Sequence, residues 1–196
     1  MDMRNVITIL LLFLCLKSYT QTISVNKVNQ DGSRIVSTDE YVIKTGFTDK
    51  TPFLYSIKAY ISPDKNVTYY LGFRINSLYS IKIPQNGIIL FKTKSGNVIE
   101  CKQQLDDYKT EDIIGTYVPM TGMRIYSAYG VYPISYEDLL SLSTEGVIKV
   151  RVETEIENID ANYSEKKANI FSEELAARLS LINSISTQKN DIREGF

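Results

Sequence analysis

The side chains best able to do chemistry in this chain are a run of tyrosines with an arginine, a pair of adjacent acids and one cysteine. The run lies in GTYVPMTGMRIYSAYGVYP, residues 115–133. At the two-residue period of a strand over Met123–Tyr132, Arg124, Tyr126 and Tyr132 share one face, opposite Ile125, Tyr129 and Val131. Aromatic rings beside a guanidinium make a shallow platform for a glycan or a peptide, the rings stacking and the guanidinium donating hydrogen bonds. These three residues are therefore the candidate ligand-binding set. The same rings also suit the interior of a β-sandwich with their hydroxyls kept wet.

The other chemistries narrow quickly. The 196 residues contain no histidine, which excludes Ser-His-Asp and Cys-His nucleophiles, His-ligated zinc and histidine proton shuttles. No calcium-loop pattern, no G-x-G-x-x-G and no phosphate-binding G-x-x-x-x-G-K-[ST] occurs, so no cofactor or metal is expected. Cys101 lies in NVIECKQQL, where at strand period Ile99 and Cys101 share a face, and it reads as a small buried hydrophobe. Two carboxylates several ångströms apart would suffice to hydrolyse a glycosidic bond, but sequence spacing selects no pair among so many acids. The expectation is a non-enzyme, with a carboxylate-based hydrolase as the remaining enzymatic alternative.

The ends say where the chain works. Arg4 precedes Val6–Leu16, an apolar run interrupted only by Thr8, and KSYTQ follows. That run is too short for a bilayer core of about 30 Å but suits a signal peptide. Residues 1–20 are thus expected to be removed before Gln21, leaving one domain over 21–196, exported to the periplasm or the exterior. Without those residues the chain has 20 Lys+Arg against 22 Asp+Glu, a net charge of −2, with no basic run. Nothing there attracts nucleic acid, and no membrane span is expected after the signal. Cys15 leaves with the signal, so Cys101 has no partner for a disulfide.

Behind the candidate residues stands a β-rich framework. Tyr41, Ile43, Thr45 and Phe47 alternate with polar neighbours. So do Phe53, Tyr55, Ile57, Ala59 and Ile61, then Tyr69, Leu71, Phe73 and Ile75. Period-2 runs separated by Pro, Gly, Asn and Asp predict an antiparallel sandwich or barrel. GIILFKTKSGNVIECK predicts a hairpin turning at Ser95-Gly96, its first arm Ile88–Phe91 apolar on both faces and hence central. VIKVRVETEIE, residues 147–157, predicts a strand with Ile148, Val150, Val152 and Ile156 inward. In residues 164–186 the period becomes helical: Ala168, Phe171, Leu175, Leu179 and Ile182 form one stripe, with Glu173, Glu174 and Arg178 on the polar face. Ser164 is the expected N-cap, and residues 187–196 the expected frayed tail.

The adjacent acids Glu137 and Asp138 belong to YPISYEDLLSLSTEGVIKVRVE, residues 132–153. Pro133 closes a strand, and Ser135 with Asp138 three residues on gives a capping-box start. Ile134 is placed to staple onto Leu139, while Leu139, Leu140 and Leu142 form the buried side of a short helix. Gly146 ends it at positive φ. The acids suit the positive end of that helix, so they fold the chain rather than catalyse.

The succession YPIS-x-x-x-L-x-x-L-x-x-x-G-V-x-K-V-R-V, then a helix bearing Phe171, Ser172 and Leu175, resembles a family of small exported Bacteroidetes-type proteins of unknown function. YYLGFRINS and IPQNGIILFKTKSGNVIECK are similar to its pattern too, so the resemblance covers roughly residues 52–186. Ser95-Gly96 stands where that pattern has Asp-Gly. The resemblance implies a β-sandwich with a C-terminal helix and carries no catalytic residue across. The expectation is an exported binding or structural protein of the cell envelope whose partner is a glycan or an envelope protein. The alternative is a carbohydrate-recognition module working through Arg124, Tyr126 and Tyr132.

Overall fold

The computed structural model describes residues 22–43, 53–103, 113–118 and 123–186, with side chains described for 22–43, 53–103 and 126–186. The expected signal peptide at 1–20, Thr45 and Phe47, and the expected tail at 187–196 lie outside the described residues. In chain order the strands are β1 (Ile23–Val28), β2 (Arg34–Thr38), β3 (Tyr41–Ile43), β4 (Phe53–Ile61), β5 (Val67–Ser77), β6 (Ile88–Thr93), β7 (Val98–Lys102), β8 (Ile113–Val118), β9 (Met123–Ile134), β10 (Val147–Glu153) and β11 (Asn158–Asn162). Helix α1 (Tyr136–Glu145) joins β9 to β10, and helix α2 (Glu165–Ser186) follows β11. The strands form two antiparallel sheets, one in the order β1-β2-β4-β5-β9-β8 with β3 also on β4, the other β11-β10-β6-β7. The protein is a mainly β sandwich with a short helix between late strands and a long amphipathic helix at its C-terminal side.

The alternating runs form the core because register keeps them in step. β4 and β5 pair Phe53 with Ile75, Tyr55 with Phe73 and Ile57 with Leu71, and all six are at most 1% exposed. Burying each such side chain contributes about 1.5–3 kcal/mol. Phe73 of the larger sheet meets Phe91 of the smaller edge-on at 6.2 Å, so the two layers share one interior. β6 is central in its sheet, between β10 and β7, as its two-sided apolar pattern predicts. Gly96 turns the β6–β7 hairpin at φ 94°.

β2 and β3 occupy successive stretches of the same β4 edge, with register Ser37 to Lys58 and then Tyr41 to Tyr55. Between them the ladder is mended by a side chain: the Ile57 amide donates to Thr38 Oγ1 at 3.0 Å. Thr38 is 2% exposed, so without that bond a buried N–H would be stranded.

Local chemistry at 132–153 follows the sequence closely. Ser135 is extended (φ −71°, ψ 155°), and its hydroxyl accepts from the Asp138 amide at 3.0 Å. The hydroxyl also donates to the Asp138 carboxylate at 2.7 Å, so the acid caps the capping residue rather than its backbone N–H. Gly146 closes α1 at φ 75°, its amide donating to the Leu142 carbonyl at 3.3 Å. Three details differ. Pro133 lies inside β9, opposite Tyr70, not at its end. Leu140 is 45% exposed, its place on the buried side taken by Ser143. β10 stops at Glu153, because the Thr154 hydroxyl bonds the backbone of Glu157 and bends the chain, leaving Ile156 78% exposed.

The α2 stripe is buried as expected, Ala168 through Ile182. Glu174 and Arg178, placed on its polar face by pattern alone, are each only 6% exposed. The helix lies over β2 and β4 on one side and α1 and β10 on the other, so its buried arc is wider than one stripe. On the flank over the larger sheet, Arg178 bonds Glu174 at 2.5 Å and lies 4.9 Å from the Tyr41 ring centroid and 6.0 Å from that of Tyr55. Tyrosine faces and a carboxylate replace the water this guanidinium loses.

Three stability outcomes follow. Ser135→Ala should cost about 1 kcal/mol in urea unfolding. Gly146→Val should cost at least about 2 kcal/mol, from the positive φ and from a Cβ 2.7 Å from the Ala168 carbonyl oxygen. Glu174→Ala, which strands the Arg178 charge, should cost about 3–5 kcal/mol, and the paired change Glu174→Leu with Arg178→Met clearly less. Equal losses for the single and paired variants would contradict the burial argument.

Candidate functional site

β9 decides the fate of the Arg124, Tyr126 and Tyr132 set. From Ala128 onward its even-numbered residues turn toward the sandwich interior: Ala128 is 4% exposed, Tyr132 0% and Ile134 8%. Tyr132 packs against its own strand, where a Cβ on Gly130 would lie 2.7 Å from the ring. Burial pushes its hydroxyl's pKa upward, and the oxygen has no hydrogen-bond partner among the described residues. Tyr132 therefore offers nothing to a surface ligand. Tyr126 is half-buried opposite Ser77 of β5, and the side chain of Arg124 lies outside the described residues.

An aromatic ring beside cations does exist, on the opposite face and assembled across strands. Tyr129 pairs with Arg74 of β5, and that residue in turn with Leu54 of β4. Lys58 Nζ stands 5.0 Å from the Tyr129 ring centroid and the Arg74 guanidinium 5.9 Å. The ring reaches over Gly72, where a Cβ would lie 2.6 Å from the Tyr129 hydroxyl and from Ser56 Oγ. Arg74 also holds Glu40 at 2.9 Å. Ring and cations are already engaged with one another, so this patch is a clasp on the outer face of the larger sheet.

The exposed apolar side chains point elsewhere. After β5 the chain leaves the larger sheet through Leu78 and Tyr79, and after β10 it bends through Ile156. These three are 41%, 74% and 78% exposed. They line one open groove of about 490 Å³ between residues 77–81 and the β10–β11 turn. Polar walls come from Ser77, Ser80, Thr154, Glu157, Asn158 and Asp160. Its volume falls within the roughly 300–1,000 Å³ of small-molecule sites. Three large apolar residues gathered in water on one concavity are not accounted for by the core.

The electrostatics of the groove are set by Asp160. Arg151 donates two parallel hydrogen bonds to it at 2.6 and 2.7 Å, and Lys149 approaches at 2.7 Å. The register Arg151↔Asp160 across β10 and β11 puts these charges directly opposite. The guanidinium fork and the lysine hold the carboxyl well below its usual range. Among the described residues no three metal-holding side chains come together.

No family model, no curated protein and no solved structure matches this chain.

The groove escaped sequence reasoning because Ile156 continued the alternation of VIKVRVETEIE and so counted as core. The available signal was Thr154 followed by the Glu155-Ile156-Glu157 run, where a hydroxyl three residues before a backbone N–H can end a strand.

Cys101 sits in the core at 2% exposure beside Ile99 at 8%. Burial first, then the nearby Asp138 and Glu100 charges, push its thiol up to about 12. At pH 8 almost no thiolate exists, so iodoacetamide should leave Cys101 unmodified in the native protein and label it fully in urea, as read by mass spectrometry. Labelling of the folded protein within minutes would contradict this placement.

Proposed function

We propose that the protein is an exported, non-enzymatic binding protein of the cell envelope, a member of the family of small Bacteroidetes-type exported proteins that its sequence resembles, and that it binds through the groove of Leu78, Tyr79 and Ile156. The observation that carries this is the exposure of those three side chains on one concave surface of about 490 Å³. A soluble protein gains nothing in folding from leaving them in water, whereas a ligand would recover their burial at roughly 25 cal/mol per Å². The arrangement favours binding over hydrolysis. A glycosidase acid needs a raised pKa, and Lys149 and Arg151 push the Asp160 carboxyl the other way. No helix among the described residues is long and apolar enough to cross a membrane.

The test uses protein produced from the full-length chain and washed envelopes from a host strain lacking it. Wild type should sediment with the envelopes. Tyr79→Ala with Ile156→Asp should lose at least about tenfold in affinity with an unchanged melting temperature. Val98→Asp, a control at a 58% exposed edge position, should bind as wild type. Retained binding by the groove variant would overturn the site. Recovery of the protein from the cytoplasm alone would overturn the localisation.

A further inference from the structure

The groove's side chains describe a ligand with apolar faces and hydroxyl-bearing edges, and we infer that it takes a neutral oligosaccharide. This rests on the groove being the binding site.

Tyr79 supplies the stacking surface. Its ring is 74% exposed at the groove, the most exposed aromatic ring among the described residues. The negative face of an aromatic ring attracts the weakly positive C–H face of a pyranose, and Leu78 and Ile156 extend the apolar floor.

The walls supply the edges. Ser80, Glu157 and Asn158 line the groove, and their side chains have no hydrogen-bond or ion-pair partner among the described residues. An amide offers two donors and an acceptor, a carboxylate two acceptors, and a hydroxyl both roles. Planar amide and carboxylate groups can each engage two neighbouring sugar hydroxyls at once. Asp160 is pre-ordered by Arg151 and Lys149, so it adds an acceptor without loss of side-chain freedom on binding.

Charge selects within glycans. Arg151 and Lys149 engage Asp160 and do not line the groove, whereas Glu157 lines it with no cationic partner among the described residues. A uronate or sulfate would meet that charge at close range, so acidic glycans are rejected. An extended peptide would instead draw its affinity from main-chain bonds along the β11 edge. Two of the three free groups, Ser80 and Glu157, lie off that strand.

The experiment is calorimetric titration of the full-length-expressed protein with cellohexaose, xylohexaose, maltohexaose and β-1,4-mannohexaose, and with hexagalacturonate as the acidic comparison. At least one neutral hexasaccharide should bind, and hexagalacturonate at least about tenfold more weakly. Tyr79→Ala should lower neutral-sugar affinity at least tenfold, with thermal unfolding unchanged. Glu157→Gln should narrow the gap to hexagalacturonate. In the sedimentation assay, periodate oxidation of the envelopes should abolish binding and protease digestion should spare it. Absence of neutral-sugar binding at millimolar concentration, indifference to Tyr79→Ala, or equal binding of hexagalacturonate overturns the inference. Groove-dependent envelope binding that resists periodate but not protease means a protein partner: the glycan falls and the groove stands. Binding that ignores the groove variant removes both.

Discussion

The arrangement of the whole molecule depends on the contact of Arg178 with Glu174, Tyr41 and Tyr55. A sandwich of two sheets leaves its sides open, and here α2 lies across β2 and β4 of one sheet and β10 of the other. An apolar stripe alone would let such a helix rotate or slide, because hydrophobic contact is non-directional. A buried guanidinium cannot slide without losing partners. Its places near two tyrosine rings of β3 and β4 define one rotation of α2 about its axis, and its bond to Glu174 of the same helix at 2.5 Å holds the guanidinium in that position. Tyr55 links that cluster onward, 5.7 Å from Tyr41 and 5.0 Å from Phe171. Burial raises the pKa of the Tyr55 hydroxyl, which keeps it neutral beside the cation.

Smaller bonds along α2 act in the same sense and become specific only because the helix is already placed. Tyr69 of β5 donates to Asn183 at 2.8 Å, Lys94 at the β6–β7 tip to Asn169 at 2.6 Å, and Arg34 of β2 to the Ile185 carbonyl at 3.2 Å. Gly146 also approaches the Ala168 carbonyl so closely that an added Cβ would lie 2.7 Å from its oxygen. It joins the end of α1 and the start of β10 to α2, so the cap that ends a local helix also sets the distance between distant elements. Glu145, beside it, accepts from Ser95 and Ser141, and these bonds hold its carboxyl below the usual range.

Sequence periodicity disclosed who shares a face but not which way the face looks. β4, β5 and the α2 stripe were legible because a core-facing row of Ile, Leu, Phe and Tyr has few other uses. α1 was legible because Ser135 and Gly146 each answer a backbone requirement that few residues can meet. Arg124, Tyr126 and Tyr132 were grouped by period 2 as a surface platform, yet Tyr132 faces inward with Ala128, because tyrosine suits both a core and a platform. Glu174 and Arg178 misled in the opposite direction, since their charges argued for water. Only the pairing of Tyr41 with Tyr55 across β3 and β4 provides the aromatic floor that lets them be buried. The groove depends on the meeting of residues 77–81 with 154–160, a separation over which no local pattern operates.

That meeting also explains why the groove lies where it does. β10 starts at Val147, next to Gly146 and α2, and runs about 20 Å at ~3.3 Å per residue before the chain bends at Thr154. The helix therefore closes the smaller sheet at one end of β10, and the groove opens at the other. At the closed end charged side chains are engaged in packing: Arg178 with Glu174, Lys94 with Asn169, Glu145 with Ser95. At the open end Arg151 and Lys149 are spent on Asp160, whereas Ser80, Glu157 and Asn158 keep their hydrogen-bonding capacity beside an exposed ring. Folding requires Thr154 to end the strand there, but it does not require Ile156 and Tyr79 to be large and apolar where the chain emerges into water.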